Sequence, residues 1–245
     1  MTWLGDSRGD SLRDSLEFSE APARHSGRHE VVDAVLARGG ERIAVVVKKV
    51  PLDLRQRLTT PKAMRSLATA RALIARGLAT PEPLAAEVVG NESWYVARRL
   101  ENASQIRVWF LHRDDSSHPR PPLPFSFEDV VEALGKLARR MHDAGVFFRD
   151  FTDGNVLVTE KAGEAMLWLV DLNRARVGDG PVPPTSRYRD LARPGLNRSE
   201  DTNLFLSSYF SPGPVPKRAL STVRLLRGRI VVWDDFKVFA RPWRR

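Results

Sequence analysis

The chain has 245 residues, with 39 Lys and Arg against 30 Asp and Glu, a formal charge of +9, and 42% hydrophobic residues. That composition excludes disorder of the whole chain, and the absence of cysteine excludes a disulfide framework, a thiolate metal site and a cysteine nucleophile together. No apolar run nears the roughly 20 residues needed to cross a bilayer, and the positive charge favours anionic partners without choosing among them.

Met1 to Arg24 is acidic and serine-rich with no apolar centre, so no secretory leader is expected and the default compartment is cytoplasmic. The pairs Asp6-Ser7, Asp10-Ser11 and Asp14-Ser15 read as a solvated, frayed terminus, and residues 1–22 are expected to be a flexible segment. Glu30 to Leu36 and the β-branched run Ile43 to Val47, ending in Lys48-Lys49, flank Arg38-Gly39-Gly40-Glu41 and predict a hairpin. Thr60 as N-cap and Pro61 as first residue open a helix to about Arg76, closed by Gly77 and Pro81. Glu87 to Leu100 reads as two more strands around Gly90-Asn91.

After Glu101 the pattern turns helical. Ser126 with Asp129 is a capping-box signal. Phe127, Val130, Val131, Leu134, Leu137, Ala138 and Met141 then make one apolar stripe, ending near Gly145. Val156 to Val158 and Leu167 to Val170 predict a hairpin about Lys161 to Glu164. Gly178 to Pro184 reads as a loop, Asn203 to Phe210 and Lys217 to Leu226 as helices, and the rest as a basic, aromatic tail. The five histidines have no ligand spacing, so surface or cap positions are expected for all of them.

The chemistry concentrates in the second half. Pairing Val156 with Leu169 in the hairpin brings Asn155 and Asp171 to its open end, and an amide with a carboxylate suits Mg²⁺ better than a soft metal. Five residues before Asn155 stands Asp150, a carboxylate suited to accept the proton of an attacking hydroxyl. Each alone is a common loop residue; the spacing of all three is what points to phosphoryl transfer.

Phe148-Arg149-Asp150-Phe151-Thr152-Asp153-Gly154-Asn155-Val156-Leu157-Val158 resembles the catalytic loop of the protein-kinase-like fold, and Leu169-Val170-Asp171-Leu172-Asn173-Arg174-Ala175-Arg176 its metal-binding aspartate motif. Asp-Leu-Asn-Arg-Ala-Arg is similar to the bacterial lipopolysaccharide core kinases, which phosphorylate Kdo or heptose sugars on the cytoplasmic side of the inner membrane. Arg65 to Leu67, Leu73 to Ala85 and Arg187 to Arg193 resemble the same family, and the likeness runs from about Ser26 to Phe210.

The resemblance implies a two-lobed α+β fold, with an antiparallel-sheet N-lobe over residues 23–100 and a mainly helical C-lobe over 101–245. It implies ATP and Mg²⁺ as cofactors, Asp150 as base, Asn155 and Asp171 as metal ligands, and Lys48 on the nucleotide phosphates, with Lys49 as the alternative register. The glutamate that clamps this lysine in kinases has Ser66 in its place, the usual catalytic-loop histidine is Phe148, and the glycine-rich loop is reduced to Gly27. Asp190 either braces the catalytic-loop backbone or is a solvated helix acid. The acceptor implied is a sugar hydroxyl of lipopolysaccharide or a similar glycolipid. The alternatives are a protein or small-molecule kinase and a non-catalytic nucleotide-binding scaffold. Trp233, Phe236, Phe239 and Trp243 among Arg229, Lys237, Arg241, Arg244 and Arg245 suit either an anionic membrane surface or partial core packing. No nucleic-acid motif accompanies the charge.

Overall fold

The structure, a computed structural model, describes residues 11–19, 24–26, 29–53 and 58–240, excepting the side chains of 24–26, Arg38 and 232–240. Gly27 and the pair Asp6-Ser7 lie outside the described residues, as do Arg241, Trp243, Arg244 and Arg245. The chain divides into two compact units. The first runs to Glu101 and also holds Leu169–Asn173; the second is Asn102–Trp168 and Arg174 onward.

The first unit is built on a six-stranded antiparallel sheet. Its strands are β1 (Leu16–Phe18), β2 (Arg24–Ser26), β3 (His29–Arg38), β4 (Glu41–Pro51), β5 (Pro83–Val89) and β6 (Glu92–Arg98), in the order β1-β3-β4-β6-β5 with β2 also paired to β3. The Gly39-Gly40 hairpin forms as the sequence predicts, in register from Glu30 opposite Lys49 to Arg38 opposite Glu41. Alternation in β4 sends Val45 and Val47 into a core with Leu36, Ala85, Trp94 and Val96.

That core also contains Leu12 and Leu16, at 0% and 7% exposure. Over residues 11–19 the expected flexible terminus is therefore corrected: two leucines cover the sheet, β1 pairs with β3, and Leu12 N–H donates to Glu87 Oε2 at 2.9 Å.

On the other face lies α1 (Lys62–Ala75), which buries Ala63 and Leu67 beside Ala86. Pro61, not Thr60, is its N-cap, and no side chain caps it. Its end is a Schellman turn, with Leu78 N–H on the Leu73 carbonyl, Gly77 N–H on Ile74, and Gly77 at φ 71° where a side chain would strain the backbone.

The second unit holds β7 (Ser104–Gln105), α2 (Arg107–Asp114), α3 (Phe127–Asp143), β8 (Val146–Phe147), β9 (Val156–Lys161), β10 (Glu164–Leu169), β11 (Arg176–Val177), α4 (Pro184–Leu191), α5 (Ser199–Phe210) and α6 (Lys217–Ala240). Strands pair in the order β10-β9-β7 and, separately, β11-β8. Helix α3 has the predicted capping box in full and buries the predicted stripe from Val130 to Met141. It meets α5 at Gly135, where a Cβ would stand 2.6 Å from the Phe205 carbonyl oxygen, so only glycine permits this approach. Helix α2 was not expected, α4 was anticipated only in the reading of Asp190 as a helix acid, and α6 continues as helix well beyond Leu226 through what reads as a tail. Among the described residues no helix is long and apolar enough to cross a membrane.

Candidate active site

In the first unit the site grows from strand parity. Lys49 shares the side of β4 that carries Val45 and Val47, and there its ammonium lies 4.7 Å from the Phe18 ring centre, 5.3 Å from that of Trp94 and 3.4 Å from Glu30. Lys48 points to the opposite face, where its Nζ is 2.7 Å from Asp171 Oδ1. Two anchors hold the Asp171 segment: Leu169 N–H donates to the Ala79 carbonyl at 2.9 Å, and the buried Thr80 hydroxyl donates to the Leu169 carbonyl at 2.8 Å. Asp171 itself sits at φ 56°, a conformation costly for a non-glycine residue and a common mark of functional positions.

Ser66, in the place of the missing glutamate, is buried at 4% exposure. Its hydroxyl donates to Asn173 Oδ1 at 2.7 Å, and Asn173 Nδ2 donates to Asp171 Oδ1 at 2.8 Å, the oxygen that also receives Lys48. Helix α1 thus supplies no acid of its own and reaches the lysine through Ser66, Asn173 and the Asp171 carboxylate. Asn173, singled out in the sequence only as part of the Asp171 motif, is the connecting residue.

In the second unit, β8 delivers the loop Phe148 to Asn155. Phe148 and Phe151 are fully buried, with rings crossing edge to face at 6.1 Å, so the residue in the histidine position is a packing residue. Arg149 has φ 66°. Asn155 Nδ2 donates to the Asp150 carbonyl at 2.9 Å, Thr152 N–H donates to the same carbonyl at 2.7 Å, and Arg174 approaches the Asp150 carboxylate at 3.5 Å. The amide bond leaves Asn155 Oδ1 available as a ligand oxygen.

Beneath the loop, Asp190 is fully buried and accepts from both Phe148 N–H and Arg149 N–H at 2.7 Å. The bracing alternative for this residue is the observed one. His142 Nε2 lies 3.4 Å from Asp190 Oδ2, and its Nδ1 lies 3.0 Å from the Tyr209 hydroxyl, which Arg187 reaches at 3.2 Å. Burial pushes the Tyr209 phenol up, against the pull of Arg187. His142, expected at a surface or cap, is therefore a fully buried member of this network. Its place in the apolar stripe of α3, one residue after Met141, was the available signal.

The structure thus joins Lys48 to Asp171 and Asp150 to Asn155. Among the described residues no three His, Asp or Glu side chains gather as a metal cage. A cation bound by one or two protein oxygens and completed by phosphate oxygens and water is what Mg²⁺ commonly accepts. Asp171 in the first unit and Asn155 in the second each offer hard oxygens of the kind such a cation takes, and among the described residues Asp171 Oδ2 has no partner.

Sheet, helices and loop define a protein-kinase-like fold, and comparison with solved structures agrees. WaaP, solved in complex with acyl carrier protein, superposes with a TM-score of 0.54 over 91% of this chain and 88% of its own, at 22% identity. A family model, the lipopolysaccharide kinase (Kdo/WaaP) family, matches residues 20–204, and the chain belongs to that family. Two 3-deoxy-D-manno-octulosonic acid kinases, from Xylella fastidiosa strains 9a5c and M12, are each 31% identical over 128 residues. The match spans 50% of this chain and 44% of each of those proteins, less than half their length.

Proposed function

We propose that the protein transfers the γ-phosphoryl group of ATP to a sugar hydroxyl of a lipopolysaccharide core or similar glycolipid. The observation that carries the reading is the coexistence of Asp150, Asn155 and Asp171 with a lysine, Lys48, turned toward Asp171. Residues 23–100 and 101–245 would serve as its N- and C-lobes. Bound Mg²⁺ would neutralise charge on the phosphates, with Asp171 and Asn155 as its protein ligands. Lys48 would pair with the nucleotide phosphates, and Asp150 would orient the acceptor hydroxyl and take its proton. Catalysis would come mostly from placement and charge neutralisation, since phosphoryl transfer needs little covalent help from the protein. A sugar acid is the acceptor class that the names of the Xylella relatives suggest. The basic, aromatic end of the chain, from Arg229 through Trp233 to Arg245, would meet the anionic surface that presents a glycolipid.

Asp150→Asn tests the reading, because it keeps the size of the side chain and removes the proton acceptor. Turnover with extracted lipopolysaccharide should fall about 10² to 10⁴-fold while Mg·ATP affinity stays near that of the parent. A parent that binds ATP yet phosphorylates neither lipopolysaccharide, free sugar nor peptide, and is indistinguishable from the variant, would instead establish a nucleotide-binding scaffold.

A further inference from the structure

Below the catalytic loop, within the second unit, is a cavity of about 200 Å³ lined by Phe147, Arg149, Arg176, Arg189, Asp190 and Arg193. Four arginines around so small a space is an unusual concentration of charge. Among the described residues none of these guanidinium groups makes a hydrogen bond or ion pair, whereas Arg42, Arg98, Arg107, Arg113, Arg139 and Arg187 all face carboxylates. The acid in the lining, Asp190, sets one negative charge against four positive ones, and none of the four guanidinium groups reaches its oxygens. Asp190 is fully buried, with Oδ1 taken by Arg149 N–H and Oδ2 shared between Phe148 N–H and His142.

The backbone that carries the arginines is fixed. Arg149 follows β8 and is tied to Asp190 through its N–H, Arg176 pairs with Phe147 across β8 and β11, and Arg189 lies in the last turn of α4 with Arg193 two residues beyond its end. Like charges held together cost free energy unless something of opposite sign joins them. Arginine forks fit the oxygens of phosphate and carboxylate in pairs, and the cavity is several times the roughly 30 Å³ share of one water, enough for such a group.

We propose that Arg149, Arg176, Arg189 and Arg193 form a binding site for a phosphate or carboxylate group, next to the loop that carries Asp150. Such a group has two possible sources. It can belong to the acceptor, which rests on the function proposed above and makes the acceptor an anionic sugar, or it can be a free inorganic anion.

The test uses the full chain carrying Lys48→Met, so that the nucleotide phosphate position does not contribute, and inorganic phosphate as probe, titrated calorimetrically at low and at physiological salt. Saturable binding is expected, weakening as salt rises. Arg176→Ala with Arg189→Ala, both on exposed side chains, should weaken it about tenfold or more per arginine removed, the range for charge-assisted hydrogen bonds. Lysine at the same two positions should restore part of the affinity by returning charge without the fork. Without phosphate the alanine variant should melt no lower than its parent, since a repulsion has been relieved.

Absence of saturable phosphate binding, equal affinity in the alanine variant, or an equal loss in the exposed control Arg140→Ala would overturn the site. None of these readings requires turnover, so they stand apart from the kinase proposal. The source follows from acceptor kinetics with Lys48 intact. A tenfold rise in acceptor KM for the Arg176/Arg189 variant, without a matching rise for ATP, assigns the group to the acceptor; loss of phosphate binding with no such rise assigns it to a free anion.

Discussion

The candidate residues fall into two halves, one in each unit, that are held in place by different physics. Asp171 is positioned by a path of polar side chains, Ser66 to Asn173 to Asp171 to Lys48, whose ends lie on a helix and a strand and whose Lys48–Asp171 pair is partly exposed. The Asp150 loop is fixed from below by a fully buried carboxylate, histidine and tyrosine with aromatic packing around them. A partly hydrated polar path can yield by small amounts. A buried network is either satisfied or strongly penalised. Substitution in the first half is therefore expected to cost function, and substitution in the buried network beneath the second to cost stability.

The largest effect should come from Asp190→Ala. It leaves the N–H groups of Phe148 and Arg149 without their acceptor in a buried setting, at about 1 to 3 kcal/mol each, so urea unfolding should show a loss of about 2 to 6 kcal/mol. A variant that unfolds like the parent would erase the contrast between the halves.

Next comes the lysine pair. Lys48→Met should reduce Mg·ATP affinity or turnover by at least tenfold with little change in melting temperature, as expected for a group that meets a ligand. Lys49→Met should leave nucleotide binding close to that of the parent, because Lys49 is occupied by Phe18, Trp94 and Glu30. The reverse ranking would put the nucleotide on the other side of β4.

Ser66→Ala probes the path at its start. One neutral hydrogen bond is worth about 1 kcal/mol, so a loss of roughly fivefold in nucleotide affinity is expected, with Asn173→Ala costing more because it breaks two links. Should Ser66→Ala leave affinity untouched while Asn173→Ala abolishes it, the helix end of the path is not part of the positioning.

These contrasts also explain what the sequence could and could not reveal. Helix α3 was legible because its signals are local: a cap three residues from its partner and an apolar stripe at helical spacing. Asp150, Asn155 and Asp171 were legible because their spacing is short and chemically specific. The Asp190, His142 and Tyr209 network joins residues 142, 190 and 209, and its partners meet only through tertiary packing; a histidine in an apolar stripe does not say what it will face. Leu12 and Leu16 were hidden by the acidic, serine-rich residues around them, although two apolar positions four apart suffice to cover a sheet. Helix α2 is eight residues with charged ends, and α4 begins at a proline in a stretch that reads as loop. In both, packing overrides weak local preference.

The smallest expected effect separates stability of the second unit from geometry of its loop. At the start of α3, Ser126 Oγ and N–H both donate to Asp129 Oδ2, at 2.6 and 2.9 Å, and Asp129 N–H donates to Ser126 Oγ at 3.0 Å. The Ser126 hydroxyl, and then its backbone N–H, hold the Asp129 carboxyl below the usual carboxylate range. Ser126→Ala should cost about 1 kcal/mol in urea unfolding at neutral pH and leave kcat unchanged, since His142 lies at the far end of the same helix. A carboxyl whose folded pKa is depressed stabilises the fold above its unfolded value of roughly 3.9, and that contribution is lost as pH falls through the folded pKa. The difference between parent and Ser126→Ala should therefore shrink as the pH is lowered below about 4. A gap that stays constant across that range would assign the cap's contribution to the hydroxyl and Asp129 N–H alone, and a fall in kcat would show that the helix start and the catalytic loop are mechanically joined.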